Sequence, residues 1–405
     1  MGINRRCRNP PVFKAKVDPF LCCVICGAEI PLYERGEVFE EREDWKRPVM
    51  KHRNKSVIVP AKELEQTDFV KYPHAWSFFV RAILDDPKTG QMSLSGISHG
   101  SSLKPWELPI PRDPQRAFIR NLALAENHWN ADFHMANLFG RDKNREAGER
   151  IGYPIHPHCW LLLKRFVGHD LIMSNLHAFV RAIGEFWKAN KKHWRIFLDH
   201  VSVDGVECVD DEPGSPCTHW LKEPRTYTSA EDREHFAMLA NWRDELREWH
   251  SPGSPLRIPD IQSLITQNIQ PQKDNSGQGQ CEIQPPVFCL PLDIAVMVVD
   301  LIYETQPHCQ QRIDDIRNLL EAFRWRLPNT YWQARCNTEL LFEFDDLIKA
   351  GTAVNWLGLC LGIEELLLDD NWYCNSGLNN RARTLKQLNG IKEGFLRRLN
   401  RGVGR

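Results

Sequence analysis

Apolar residues in the last third of the chain recur at helical intervals. In Phe288–Arg335, Ile294, Val298 and Ile302 stand four apart, so their side chains stack on one helix face. Leu290 and Pro291 lead in and Asp293 follows. Proline near a helix start costs little, because its missing N–H would find no intrahelical partner there. An acid in the first turn complements the positive end of the helix dipole. A second helix is predicted over Ile313, Ile316, Leu319, Leu320 and Phe323, ending near Leu327-Pro328, and a third segment carries Tyr331, Trp332 and Arg335. Further stripes predict helices at Leu340–Ala350, Val354–Leu368 and the basic Leu378–Leu399.

Upstream the pattern mixes two periods. Lys55–Pro60 and Ala75–Leu84 are rich in β-branched and aromatic residues and read as strands. The Asp-Pro-Lys-Thr-Gly turn ending at Gly90 returns the chain into a second strand, Met92–Ser98. Asp113-Pro114 has the chemistry of a helix cap followed by proline at the first helical position. A helix is therefore predicted through Phe118, Leu122 and Leu124 towards His128. Another starts at Pro157, an amphipathic helix spans Asp170–Asn190, and Ser229 with Asp232 resembles a capping box before Phe236–Trp249. The fold class expected is α+β, mostly α.

Ser251–Pro286 is dense in Pro, Ser, Gln and Gly and has the composition of a linker. It divides the chain into an α+β domain (1–250), a flexible linker (251–286), a three-helix unit (287–336) and a C-terminal helical region (337–405). The aromatic content belongs to a folded protein, not a disordered one. A net charge of −1 gives the chain as a whole no pull on polyanions, so nucleic acid is not an expected partner. The basic first residues and the basic helix at Leu378–Leu399 read as solvated. No apolar run reaches the length of a membrane span, and no apolar segment follows the basic start. Thirteen scattered cysteines, an odd number, fit a reducing compartment, cytosol or nucleus, better than a disulfide framework.

Candidate chemistry is confined to a few places. Cys23-x-x-Cys26 followed by Gly27 is a knuckle, in which a tight turn points two thiolates at one metal. The rival use, redox chemistry, expects the pair at a helix start, whereas Gly27 and then Pro31 follow here. Cys22 is adjacent and offers an alternative register. His156 and Cys159 are three apart around Pro157 and share a face across a first helical turn. Together the four predict a Cys3His zinc set of structural type. His158 is the alternative nitrogen ligand, and the plainer alternative makes Cys159 a buried thiol among Trp160, Leu161, Leu163 and Phe166. Ser98-His99 and Asp132-x-His134 lack the partners that catalysis or a hydrolytic metal would need. No phosphate loop, Gly-x-Ser-x-Gly or His-Glu-x-x-His is present, so no enzymatic activity is expected.

The Leu-Pro-x-acidic-aliphatic opening, the aliphatics four and eight residues on and the Trp-containing third segment resemble an F-box over Cys289–Arg335. With the Cys-x-x-Cys start and the His-x-x-Cys-Trp middle, the chain is similar to fungal F-box-domain-containing proteins. Asp293 stands where that pattern more often has Glu, and Val298 where Ile is usual. The resemblance implies docking to a Skp adaptor subunit and, through a cullin scaffold, to a ubiquitin ligase. Leu290, Pro291, Ile294, Val298 and Ile302 would contact the adaptor, with the rest of the chain left to hold a client protein. The alternative is a zinc-stabilised interaction module whose F-box-like helices belong to its own core. Exposure of the Ile294 stripe separates the two.

Overall fold

A computed structural model describes residues 21–28, 30, 58–67, 75–99, 107–118, 130–139, 148–194, 253–270 and 291–402. The expected helix at 229–249, the basic start and the charged stretch 33–47 lie outside these residues. Two units are present: 1–66, 77–197 and 390–405 form one, and 67–76 with 198–389 the other. The mixture of helix and strand agrees with the α+β expectation.

The first unit is built on β2 (Phe79–Asp86), whose first six residues are all buried. A strand buried on both faces reads as a continuous apolar run rather than an alternating one, and Phe79, Val80, Ala82, Ile83 and Leu84 supply it. Arg81 is the exception. Its guanidinium bonds Glu65 Oε1 at 2.5 Å, Pro114 O at 2.9 Å and Ser95 O at 3.3 Å, which compensates the charge it buries. Around β2 lie β1 (Ile58–Pro60), β3 (Gln91–Leu94), β4 (Ile97–His99), β5 (Glu107–Pro111), β6 (Arg116–Phe118), β7 (Asn130–Met135) and β8 (Ile151–Ile155). The order is β1-β6-β4-β2-β8-β7-β5, with β3 also on β2. β8 pairs antiparallel with β2, Ile83 opposite Tyr153, and parallel with β7. Three helices follow: α2 (Pro157–Val167), α3 (His169–Met173) and α4 (Leu176–Ala189), while α1 (Ala61–Gln66) follows β1.

Several expectations need correction here. The strand predicted over Met92–Ser98 is two strands, because Ser95 bulges out of the ladder. Its Oγ accepts from Ala82 N–H at 2.8 Å and donates to Gly96 O at 2.7 Å. Gly96 is required at this bulge, since a Cβ would lie 2.4 Å from both Asp113 O and Arg116 O. The helix predicted from Asp113-Pro114 is absent from the described residues up to Phe118, which form a turn and then β6. Asp113 Oδ1 accepts from Gln115 N–H and Oδ2 pairs with Arg116, so its carboxylate closes a turn instead of capping a helix. Asp170–Asn190 is interrupted: Ser174 and Asn175 separate α3 from α4, and Asn175 Nδ2 donates back to Leu171 O at 2.9 Å.

The second unit is helical in its described residues: α5 (Pro259–Asn268), α6 (Leu292–Thr305), α7 (Gln310–Ala322), α8 (Asn329–Arg335), α9 (Phe342–Ala350), α10 (Trp356–Leu366) and α11 (Asp370–Asn375). The last helix, α12 (Leu378–Gly402), gives its first half to this unit and its second half to the first. The linker expected at Ser251–Pro286 therefore carries a helix, and residues 271–290 lie outside the described ones. Ile258 and Ile261 of that stretch are fully buried in one core with Val299, Ile316, Trp332 and Phe344. That same core joins α6–α8 to α9 and α10. Arg381, expected on a solvated basic face, is fully buried. It bonds Glu343 through both terminal nitrogens, at 2.7 and 2.8 Å, and also Pro255 O, Leu256 O and Leu340 O.

Candidate functional site

The chain from Leu21 to Ile30 folds back on itself. Gly27 N–H donates to Cys23 O and Cys23 N–H to Ala28 O, each at 2.8 Å, and Ile30 N–H donates to Leu21 O at 2.6 Å. Gly27 has φ +69, a left-handed conformation that glycine adopts without steric penalty. A Cβ there would also lie 2.6 Å from Trp187 Cη2 and 2.9 Å from His193 O. Val24 joins the knuckle to the sheet and to α4, donating its N–H to Pro154 O at 2.8 Å and accepting from Trp187 Nε1 at 2.7 Å.

β8 then carries the second half of the site. It runs out at Ile155, His156 occupies the cap position in extended geometry, and Pro157 opens α2. Cys159, in the first turn, faces the same way as His156. Nδ1 of His156 lies 3.5 Å from Cys26 Sγ and 3.9 Å from Cys159 Sγ, and the His156 backbone N–H reaches Cys23 Sγ at 3.4 Å. All four side chains are buried, and their ligand atoms lie within 4.8 Å of one another. Zinc bonds of about 2.0–2.3 Å in a tetrahedron would put ligand atoms roughly 3.3–3.8 Å apart, so the residues fit a small tetrahedral metal ion. These are the four residues predicted from spacing. Cys22 and His158 are buried beside them but do not belong to the set of four.

The thiols affect one another strongly. Burial works against ionisation of Cys26, but hydrogen bonds with Cys159 and Cys23 and the electrostatic pull of His156 outweigh it and hold this thiol well below its ordinary value. Burial pushes Cys23 up, aided by the ionised neighbour Cys26. Cys159 rises for the same reasons, with Cys23 and Cys26 both contributing. If all four side chains bound one ion, every tetrahedral position would be taken by protein, the closed form of a structural site.

The two motifs that lacked partners in the sequence gather no metal-type cluster among the described residues. Asp132 is exposed, while His134 is buried with Nδ1 4.0 Å from a Glu149 carboxylate oxygen. Ser98 is buried in β4. Among the described residues, only the cluster of four gathers three or more metal-type ligands.

The second candidate is the surface of α6. Ala295 and Val299 face the core, and Ile302 packs against it half-buried. Pro291 and Ile294 are exposed, Val298 is half-buried, and Leu290 lies outside the described residues. Three apolar residues that the stripe of Ile294, Val298 and Ile302 omitted are more exposed than its members. Met297 is 64% exposed, Leu301 57% and Leu292 49%, against 39% for Ile294. Ile294, Met297, Val298 and Leu301 follow the i, i+3, i+4, i+7 rule of one helix face. The signal was available in the sequence: α6 is apolar nearly all round, so burying one face leaves another in water. No helix among the described residues is long and apolar enough to cross a membrane.

No family model, curated protein or solved structure matches the chain.

Proposed function

We propose that this chain is an F-box-type adaptor that recruits a client protein to a Skp/cullin ubiquitin ligase. It acts by binding and carries out no bond chemistry. The observation that supports this reading best is the apolar stripe of Ile294, Met297, Val298 and Leu301, presented outward by a helix anchored from behind. An amphipathic helix laid in a partner's groove is a recurring recognition mode. The anchoring is firm: Tyr331 OH donates to Asp300 Oδ1 at 2.7 Å, Arg335 pairs with the same carboxylate, and Tyr303 OH donates to Glu364 Oε1 at 2.7 Å. Trp332, fully buried, fills the space between the segments.

In this reading the four residues Cys23, Cys26, His156 and Cys159 hold Zn2+. The ion joins knuckle, sheet and α2 and leaves the rest of the first unit to hold the client. The competing reading, a zinc-stabilised interaction module with no ligase role, draws on the shared core of α6–α10, which shows these helices serving their own chain as well.

The test is co-purification of the full-length chain with a Skp adaptor, comparing wild type with Ile294→Asp/Met297→Asp. Both positions are exposed, so the variant keeps its fold. Recovery of the adaptor with wild type alone is the expected result. Equal recovery with both, or none with either, removes the adaptor reading and leaves the interaction module.

A further inference from the structure

Two helices of the first unit build a surface that serves neither the metal centre nor the α6 stripe. α4 and the second half of α12 pack antiparallel. The rings of Phe179 and Phe395 meet edge to face at 5.3 Å. A Cβ on Gly394 would lie 3.8 Å from Ala182 Cβ, and one on Gly390 would lie 2.5 Å from Phe186 Cε2, so numbers rise along α4 as they fall along α12. The outward rows of both helices are basic. Arg181, Glu185 and Lys188 are exposed four and three apart on α4, and Arg397 and Arg401 are exposed four apart on α12. Arg398 joins the rows, donating from Nε to Glu185 Oε2 at 3.0 Å and from Nη2 to Oε1. That pairing neutralises the one acid of α4, and Glu393 is the one acid of α12 beyond Gly390. Arg397 Nε donates to the Glu393 carbonyl at 3.2 Å. Among the described residues, Arg181, Lys188, Arg397 and Arg401 have no acidic partner.

We propose that this face of α4 and α12 binds an acidic segment of another protein. Cations one helical turn apart stand about 6 Å apart along the axis. Carboxylates four apart on a helix, or two apart on a strand, have nearly the same spacing. Opposite charges facing across an interface attract, and salt weakens the attraction. A membrane fits this face less well. An interfacial helix inserts an apolar face into the lipid, whereas Phe179, Ile183, Trp187, Ile391 and Phe395 are all buried within the protein. Single-stranded nucleic acid fits less well too, because it stacks its bases on exposed aromatic rings and these two stretches expose none. The surface owes nothing to α6 and stands whether or not the chain docks to an adaptor.

Fluorescence anisotropy of a labelled oligo-glutamate peptide, titrated with the full-length protein at low and moderate salt, tests this. Wild type should bind it, more weakly as salt rises. Arg181→Glu/Arg397→Glu, both at exposed positions, should weaken binding at least about tenfold with circular dichroism unchanged. Lys88→Glu/Arg326→Glu makes the same change of charge at exposed positions outside these two helices and should bind like wild type. Ile294→Asp/Met297→Asp, aimed at the adaptor, should also bind the peptide like wild type, so failure of one reading is told from failure of the other. No binding by wild type, equal affinity in Arg181→Glu/Arg397→Glu, or an equal loss in Lys88→Glu/Arg326→Glu overturns the proposal. So does tighter binding of oligothymidylate or of phosphatidylserine vesicles than of the peptide.

Discussion

Arg381 gives the sharpest handle on how the second unit is held. Its guanidinium is fully buried, makes bonds of 2.7–3.0 Å to Glu343 and three backbone carbonyls, and lies 4.2 Å from the centroid of the Phe342 ring. Arg381→Ala strands a nearly buried carboxylate and leaves Pro255, Leu256 and Leu340 carbonyls without this donor. Breaking one side of a buried ion pair costs roughly 3–5 kcal/mol, and each bond to a charged group about 1.5–3 kcal/mol, not additively. A loss of about 4 kcal/mol is expected, close to a thousandfold in an opening equilibrium. Arg381→Lys keeps the charge beside Glu343 but loses the planar fork, and should cost about half as much. Since two of the carbonyls belong to the segment before α5, the effect should concentrate there. Amide hydrogen exchange of residues 258–268 in the full-length chain is the assay. Protection should fall steeply in Arg381→Ala and partly in Arg381→Lys. Unchanged protection in Arg381→Ala would show that the segment is held by its buried isoleucines alone and refute the reasoning.

Three other outcomes follow from the first unit. Gly27→Ala combines a left-handed backbone with a Cβ 2.6 Å from Trp187; it should lower the melting temperature by several degrees and weaken metal retention, read by calorimetry and metal analysis. Removing metal with a chelator, or by Cys26→Ser, should red-shift the emission of Trp187, whose indole N–H holds Val24 O. Zinc-finger peptides gain about 10–16 kcal/mol from the ion, so a metal-free protein with unaltered emission and melting would end the structural-metal reading. Gly152→Ala places a Cβ 2.0 Å from the Phe133 ring and should cost about 1–3 kcal/mol as overpacking; Phe133→Leu in the same chain should recover part of that, measured by urea midpoint.

The candidate metal centre was legible because its ligands announce themselves locally. Two thiols before a glycine and a His-Pro-x-Cys helix start each fix their own geometry, and the fold had only to bring two short motifs together. The helices α6, α7 and α8 were legible for the same reason, since period and proline placement are local properties. What failed depended on distant partners. Asp113-Pro114 opens turns as readily as helices, and the strand pairing of Arg116–Phe118 with β1 and β4 decided between them. The stretch after Ser251 has the composition of a linker, yet Ile258 and Ile261 are enough to pin it once a core is there to receive them. Arg381 looked like one more surface cation; nothing local distinguishes it from Arg383, and only the tertiary fold encloses it. Met297 and Leu301 were missed because a stripe drawn four apart captures one row of a helix that is apolar on two.

The central claim is that α6 offers its outer face to another protein. Leu292, Ile294, Met297 and Leu301 together leave about two whole side chains' worth of surface in water, worth roughly 3–6 kcal/mol if a groove buried it completely. Calorimetric titration of the full-length chain with a purified Skp adaptor measures this directly, for wild type and for Met297→Asp/Leu301→Asp. Saturable binding by wild type, weakened at least about thirtyfold (about 2 kcal/mol) in a double variant of unchanged circular dichroism and metal content, is the predicted result. No heat of binding from wild type, or the same affinity in both proteins, would contradict it.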